Sequence, residues 1–203
     1  MELPAVVVMA YLWATSPSRF DVAPLWFFML FEIHYVQRTF VFPFLMRGKS
    51  KMPVSVMLMG VVFNLINGFL LGEGLFHLAP EGLYTDDWTA TPQFIIGTVI
   101  FAGGFCVNLH SDNVIRNLRP KGDTRHYLPQ RGMYRYVTSG NYLGELTEWI
   151  GFAILTQSVA AWIFALWTFS NLAPRAYAIR KRYRQEFGVE AVGSRKCLIP
   201  FIW

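Results

Sequence analysis

The stretch 141-NYLGELTEWIGF-152 places two carboxylates, Glu145 and Glu148, at the start of a segment that then stays apolar almost without interruption. A charged side chain costs about 2.5–3.5 kcal/mol at the centre of a membrane helix, so such segments normally exclude acids. Asn141 and Glu145 are four residues apart, and Glu148 follows three later, so a helix would carry them on one face. Trp149 continues that face. An N-cap role explains Asn141 better than it explains acids one and two turns further in.

The rest of the chain shares this apolar character. It has 203 residues, of which 54% are hydrophobic and 17% aromatic, and its mean hydropathy is +0.33. Such a composition predicts helices that cross a membrane, because a helix bonds its own backbone groups where water is absent. A soluble all-helical protein with very apolar core helices is the alternative. We expect an all-α, polytopic membrane bundle in a single domain, with six transmembrane helices at residues 3–15, 22–46, 54–79, 93–110, 142–156 and 158–173.

The charges between these segments predict an orientation. The 47–51 linker RGKSK, the loop 111–140 and the tail 174–203 are basic, whereas the 80–92 loop carries acids and no basic residue. Positive loops stay in the cytoplasm, so the basic loop and both ends are expected there. A bacterial inner membrane or the endoplasmic reticulum fits this multi-pass arrangement. The net charge of +5 then reflects topology, and no nucleic acid is expected as a partner.

A second polar stripe follows the fourth predicted helix. Asn108, Asp112, Arg116 and Arg119 recur at helical spacing. The alternative for this stripe is a helix that emerges into water with an Asp112–Arg116 ion pair. The segment 119–140, rich in Arg, Gly, Pro and Tyr, lies between the two stripes. Its arginines suit phosphates, while amides and acids suit ribose hydroxyls and amide groups, which favours a dinucleotide site facing the cytosol. A solvated basic loop is the alternative.

Polar residues also interrupt the second and third predicted helices. Ionisable groups inside a membrane segment are candidates for function by default. Tyr35 and Arg38 are three residues apart and share a helix face with Phe42. The other polar residues in these two segments are Glu32, His34, Asn64, Asn67, Glu73 and His77. Cys106 and Cys197 lie too far apart to suggest a disulfide or a metal pair, and no metal site is expected.

Four stretches resemble the steroid 5α-reductase family of membrane enzymes. They are 34-HYVQRTFVF-42, 108-NLHSD-112, 129-PQRGMYRYVTSGNYLGELTEWIGF-152 and 194-SRKCLIPFIW-203. The resemblance implies an NADPH-dependent oxidoreductase of the CH–CH class. Such an enzyme reduces the C4–C5 double bond of 3-oxo-Δ4 steroids, with hydride going to C5 and a proton to C4. Within the superfamily, trans-2-enoyl-CoA and polyprenol reductases remain alternatives. So do a truncated NADPH-binding membrane protein without turnover and, more distantly, a methyltransferase.

The resemblance also implies roles for individual residues. Tyr35 and Glu2 map onto the pair that holds the 3-keto oxygen and are the expected catalytic residues, because fixed donors stabilise the negative charge that develops there. Glu148 is expected to brace the basic loop or a neighbouring helix. The expected cofactor contacts are Arg38, Asn108, Asp112, Arg119, Asn141, Glu145, Trp149 and Tyr183. The expected partners are a steroid or other enone lipid and membrane lipids, with no obligate protein partner, so the chain is expected to be a monomer.

The chain departs from the family pattern at several positions. The family usually has seven spans, and this chain starts within the Gln-Glu-Leu-Pro region with Met1 in place of Gln, so a first span is expected to be missing. Where steroid-active members have Tyr-Arg before Ile-Pro, this chain has His126 and Tyr127. Ile179 stands where the family has a His, and Phe42 where it has a Tyr. These differences leave the substrate preference open.

Overall fold

The computed structural model describes residues 1–45, 52–120, 123 and 125–203, and the expected 47–51 linker lies outside them. Apart from one isolated bridge, all regular structure in the described residues is helical, which confirms the all-α class. The helices are α1 Leu3–Thr15, α2 Val22–Val36, α3 Phe42–Leu45, α4 Val54–Phe76, α5 Pro92–Arg116, α6 Gly140–Thr156, α7 Val159–Phe187 and α8 Val189–Val192. A π-helical turn lies at Gln37–Val41, and 3₁₀ turns lie at Asp86–Ala90 and Gly132–Arg135.

Among the described residues, α4 and α5 are long and apolar enough to cross a membrane. Many of their large apolar side chains are exposed, including Met59 at 72% and Val99 at 67%, as expected for a surface that faces acyl chains. The apolar α1 and α2 have only 13 and 15 residues, fewer than the roughly 17–25 that a straight span needs. The count of six spans therefore stays a prediction.

Two helices extend beyond the segments expected from hydropathy. α5 continues to Arg116, so residues 111–116 of the expected basic loop are helical. α7 continues through Pro174 to Phe187, so much of the expected basic tail is helical as well. Hydropathy marks where a helix is apolar, whereas the backbone hydrogen bonds of the helix continue into its polar turns. Arg119 lies beyond the end of α5 and before Pro120, which disfavours helical backbone, so Arg119 is not on the helical stripe that we expected.

The second predicted span, 22–46, is helical as far as Leu45 but not uniformly so. Pro43 has no N–H to donate, and its ring would clash with the carbonyl of the residue four positions back. A regular α-helix therefore cannot continue through it undisturbed. The N–H of Phe42 bonds the carbonyl of Gln37 five residues back, which closes a π-helical turn. The expected break between the last two spans lies at Gln157–Ser158, where Gln157 has a φ of 51°.

Internal contacts divide the chain into two compact units, and each is described by itself. The first unit comprises Met1–Gly97 and Phe152–Phe164. The second comprises Thr98–Gly151 and Ala165–Trp203. Because the boundaries fall inside helices, α5, α6 and α7 each contribute residues to both units.

In the first unit, α1 packs along α4 at small residues. A Cβ at Gly72 would lie 2.6 Å from Cδ1 of Leu12, so a larger side chain there would force α1 away from α4. Asn64, one of the polar residues in the third predicted span, donates hydrogen bonds to the carbonyl oxygens of Met1 and Gly60 at 3.2 and 2.8 Å. Asn64 therefore ties the start of the chain to α4.

The 80–91 loop satisfies the last carbonyl groups of α6, which have no partner within the helix. The Tyr84 hydroxyl donates to the Thr156 carbonyl at 2.8 Å, and the Trp88 indole N–H donates to the Leu155 carbonyl at 3.0 Å. Burial raises the pKa of Tyr84 to about 12, so the phenol stays protonated and remains a donor at physiological pH.

In the second unit, α5 and α6 cross with their backbones in contact. A Cβ at Gly104 would lie 2.4 Å from the backbone nitrogen of Glu148, and a Cβ at Gly144 would lie 2.4 Å from the backbone nitrogen of Asn108. No side chain fits between these backbones, so only glycine is tolerated at both positions. Because residue 104 faces 148 and residue 108 faces 144, the two helices run antiparallel.

The tail is attached to the segment that precedes α6. The Thr138 N–H donates to the Lys196 carbonyl and the Lys196 N–H donates to the Tyr136 carbonyl, both at 2.9 Å. The next residues, Cys197 and Leu198, are buried in a cluster with Leu146 of α6 and Ala176 of α7. The tail therefore holds the start of α6 against α7.

Substitution of two adjacent glycines of α5 tests the close contact between the α5 and α6 backbones. We expect Gly104→Ala to lower the free energy of unfolding by about 1–3 kcal/mol, because the added methyl group meets the α6 backbone. The matched control is Gly103→Ala, whose Cβ would meet nothing within 4 Å and should be neutral or slightly stabilising. The measurement is the unfolding midpoint of each purified variant in one detergent. Equal shifts for both variants would contradict the close crossing.

Candidate active site

The end of α5 and the start of α6 share a buried polar cluster. The Asn108 side-chain amide donates to the Asn141 carbonyl at 2.9 Å, and Asn108 is only 1% exposed. This contact is possible because Gly144, three residues after Asn141, brings α6 against the Asn108 backbone. The two expected cofactor residues on separate helices are therefore neighbours in the structure.

Tyr134 belongs to this cluster, although we did not predict it from the sequence. Its hydroxyl donates to Oδ1 of Asn141 at 3.3 Å, and its side chain is 1% exposed. Burial raises the pKa of Tyr134, and the negative charge of Asp112 raises it further, so the phenol stays protonated. The only sequence signal for this residue was its place within the 129–152 stretch.

The buried Asp112 and the half-buried Tyr183 adjoin this cluster. Asp112 follows Asn108 by one helical turn on α5 and is 7% exposed. Tyr183, on α7, has its pKa raised chiefly by burial, and Tyr142 and Arg119 are among the groups that act on it electrostatically. Tyr183 in turn acts on Tyr134. Five of the expected cofactor residues, Asn108, Asp112, Arg119, Asn141 and Tyr183, are thus brought into one region of the second unit.

The acids that follow Asn141 on α6 differ in their surroundings. Glu148 is fully buried beside Gly104, which suits a structural role. Trp149 is 1% exposed and packs edge-on against Phe101 with ring centroids 6.2 Å apart, so its indole is part of the core of the second unit. Glu145 is half-buried. The cofactor roles expected for Glu145 and Trp149 stay predictions.

Several buried polar atoms in this region have no hydrogen-bond partner among the described residues. They are Oδ1 of Asn108 and the hydroxyl oxygens of Ser111 and Ser139. An unpaired buried polar atom costs about 1–3 kcal/mol, so such atoms indicate a place where a polar ligand can bind. Amide N–H and sugar hydroxyl groups are the donors that fit these oxygens. The exposed Arg119 guanidinium adds a group that suits phosphate. Together, these unpaired oxygens and the Arg119 guanidinium fit a dinucleotide.

The remaining expected site residues lie in the first unit. Tyr35 is 5% exposed and stacks on Phe31 with ring centroids 4.4 Å apart. Arg38 lies in the π-helical turn with its guanidinium 4.8 Å from the centroid of the Phe42 ring, so these two residues share a face as the spacing predicts. Glu2 is the half-buried residue that precedes α1. The joint role of Tyr35 and Glu2 at a ketone stays a prediction.

The basic loop uses several of its charged groups internally. Asp123 accepts hydrogen bonds from Arg125 and from the Tyr127 hydroxyl, each at 2.7 Å. The hydrogen bonds from Arg125, together with the one from the Tyr127 hydroxyl, hold the pKa of the Asp123 carboxyl well below its usual range. The side-chain bond from Arg125 has the largest effect. His126 contacts Glu186 and Arg182 on α7. His126 and Tyr127, two of the residues that depart from the family pattern, therefore hold the loop in place in this structure.

Comparison with known proteins gives the family. A family model described as 3-oxo-5-alpha-steroid 4-dehydrogenase matches residues 50–203. The chain is 40% identical over 204 residues to "3-oxo-5-alpha-steroid 4-dehydrogenase 1" of Macaca fascicularis, covering 100% of this chain and 76% of the relative. The Homo sapiens protein of that name is 39% identical over 204 residues, covering 100% of this chain and 77% of the relative. "3-oxo-5-alpha-steroid 4-dehydrogenase 2" of Homo sapiens is 38% identical over 203 residues, at 100% and 78% coverage.

These matches extend over the stretches that carried the resemblance, and they confirm it. They also agree with the two apolar helices long enough to cross a membrane, since the family is membrane-bound. The chain therefore belongs to the 3-oxo-5-alpha-steroid 4-dehydrogenase family, whose members are oxidoreductases that act on CH–CH bonds.

Proposed function

We propose that this chain is a multi-pass membrane enzyme that uses NADPH to reduce the C4–C5 double bond of 3-oxo-Δ4 steroids, giving 5α-steroids. The observation that carries the proposal is the buried cluster of Asn108 and Asn141, with its unpaired polar oxygens, in a chain of this family. The names of the relatives support the substrate class. The alternative substrates are a trans-2-enoyl-CoA and a polyprenol-derived lipid, and a panel of substrates separates them.

The first part of the proposal concerns the cofactor. When bound, NADPH supplies the hydride that reduces C5. Asn108, Asn141 and Asp112 offer amide and carboxylate groups to its amide and ribose hydroxyls, and Arg119 suits its phosphates. Glu145, Trp149, Tyr183 and Arg38 are the other residues proposed to contact it. The fixed backbones of α5 and α6 hold the two asparagines in place before the cofactor binds, which lowers the entropy cost of binding.

The substrate end depends on Tyr35 and Glu2. Reduction of an enone moves negative charge onto the 3-keto oxygen, and a donor fixed on that oxygen stabilises the transition state more than the ground state. The Tyr35 phenol is suited to this role because it is buried and stacked on Phe31, where a hydrogen bond is stronger than in water. We propose that Glu2 holds the same oxygen or orients the phenol.

The same proposal includes the orientation in the membrane. Six spans would place the basic loop 111–140 and both ends in the cytosol, where NADPH is available. Arg116, Arg131 and Arg135 fall on that side in this arrangement. The apolar surfaces of α4 and α5 support the membrane location.

A substrate panel tests the function. We expect purified protein in detergent to oxidise NADPH when a 3-oxo-Δ4 steroid is added and not when a trans-2-enoyl-CoA or a polyprenol substrate is added. The measurement is the loss of NADPH absorbance. Oxidation with the enoyl-CoA and with no steroid would remove the substrate assignment and leave the cofactor assignment. Tight NADPH binding with no oxidation on any substrate would favour a binding protein without turnover.

Tyr35→Phe tests the role at the ketone. Loss of one preorganised donor typically lowers kcat by about 10²–10³. We expect such a loss with a much smaller change in the dissociation constant for NADPH, because Tyr35 is proposed to contact the substrate and not the cofactor. The matched control is Tyr177→Phe, since Tyr177 is 57% exposed on α7. An unchanged kcat for Tyr35→Phe would exclude the proposed role.

Glu145→Ala tests the cofactor assignment. A hydrogen bond to a charged group contributes about 1.5–3 kcal/mol, so we expect NADPH to bind about 10–100-fold more weakly. At saturating NADPH the kcat should change little. Binding is measured by titration of protein fluorescence without steroid, and Glu190→Ala, in the short helix α8, is the control. The assignment fails if NADPH affinity is unaltered while kcat falls.

A further inference from the structure

A groove of about 400 Å³ lies on the second unit, between one face of α5 and the loop before α6. Its walls are Cys106, Val107 and His110 of α5, and Gly132, Met133, Arg135 and Tyr136 of the loop. Gly132 has a φ of 59°, and a Cβ there would lie 2.3 Å from Cε1 of His110. Glycine therefore allows the loop to approach α5 closely enough to form the groove.

The groove is separate from the polar cluster. Residues two apart on a helix project in nearly opposite directions, and residues four apart share a face. Cys106 and His110 therefore share one face of α5, and Asn108 and Asp112 share the other. The polar cluster occupies the second face, whereas the groove lies along the first.

The chemistry of the groove is that of an amphiphile. Cys106, Val107 and Met133 offer apolar contacts, while Arg135 is exposed at the edge and has no acidic partner among the residues that the structure describes. A single cation beside apolar walls suits a phosphate attached to an acyl chain better than a free ion, which would gain nothing from the walls.

The apolar surface continues beyond the groove. The centroids of the Tyr136 and Phe201 rings are 5.6 Å apart. Phe201 and Ile202 are 79% and 75% exposed. On α5, the groove lies at the end of the predicted 93–110 span, where a helix that crosses a membrane would reach the level of the lipid headgroups. An acyl chain can therefore leave the groove along exposed apolar surface.

We propose that this groove binds an anionic phospholipid, with its phosphate on Arg135 and part of an acyl chain against Val107 and Met133. The site is independent of the proposed reaction, because none of its residues belongs to the expected substrate or cofactor contacts. Arg135 would form a charge-assisted hydrogen bond to the phosphate, and the walls would exclude water from the upper part of the chain.

The two cysteines of the chain provide the test. Cys106 lines the groove and is exposed, whereas Cys197 is 3% exposed and serves as an internal control. Purified protein in an uncharged detergent is treated with N-ethylmaleimide, and the modification of each cysteine is followed by peptide mass spectrometry. We expect phosphatidylglycerol to slow the labelling of Cys106 in a saturable manner, and phosphatidylcholine at the same concentration to do so far less.

Arg135→Gln tests the contact to phosphate. Loss of a charge-assisted hydrogen bond should raise the phosphatidylglycerol concentration needed for half protection by about tenfold or more. The matched control is Arg131→Gln, an exposed arginine of the same loop that does not line the groove, and it should leave the concentration unchanged. Val107→Trp should abolish protection by filling the groove.

Four outcomes would overturn the proposal. Equal protection by phosphatidylcholine would mean that the headgroup charge is not recognised. Protection by glycerol phosphate alone would mean that the site takes a free anion. Protection by NADPH or by a 3-oxo-Δ4 steroid without phospholipid would assign the groove to the reaction. Equal effects of Arg135→Gln and Arg131→Gln would show that only the overall charge of the loop matters.

Discussion

The backbone contact between α5 and α6 at Gly104 and Gly144 is the constraint on which the polar cluster of the second unit depends. Helices that associate in a membrane gain little from the hydrophobic effect and rely on close packing and on hydrogen bonds between helices. Both are present here. The glycines remove the side chains that would separate the backbones, and the Asn108 amide then reaches the Asn141 carbonyl. Glu148 is buried at the same crossing.

A second set of contacts holds the start of α6 in place. The loop before α6 bonds the tail through Thr138 and Lys196, and Cys197 and Leu198 of the tail pack on α6 and α7. Two of the stretches that carry the family resemblance, 129–152 and 194–203, are thus in contact with each other. Their sequence is constrained by packing as well as by any ligand. Tyr134 shows how the two roles combine, since its buried ring is part of the packing while its hydroxyl bonds Asn141.

Sequence patterns predicted part of this arrangement, for physical reasons. The four-residue spacing of Asn108 and Asp112 identified a polar helix face, because helix geometry relates spacing to direction. The prediction that Arg119 lies on that face was wrong, because the helix has already ended there and Pro120 follows. Hydropathy identified apolar parts of α5 and α7 but not the polar turns with which these helices end, because polar helical turns have no apolar signal.

Other features could not be predicted from one sequence. Tyr134 lies in a loop, where no periodicity relates its position to that of Asn141. The role of Gly104 cannot be inferred from the sequence either. The adjacent Gly103 is also a glycine, but a Cβ there would meet nothing within 4 Å. Both depend on which backbone packs against which. Contacts of this kind follow from the tertiary structure and not from local spacing.

The identity of the reaction product is the most direct test of the proposed reduction at C4–C5. Purified protein is incubated with NADPH and a 3-oxo-Δ4 steroid, and the product is compared with authentic standards by chromatography and mass spectrometry. We expect a saturated 5α product that keeps its 3-keto group, because Tyr35 and Glu2 are proposed to hold that oxygen while the C4–C5 bond is reduced. A 3-hydroxy steroid that keeps its double bond, or a 5β product, would contradict it.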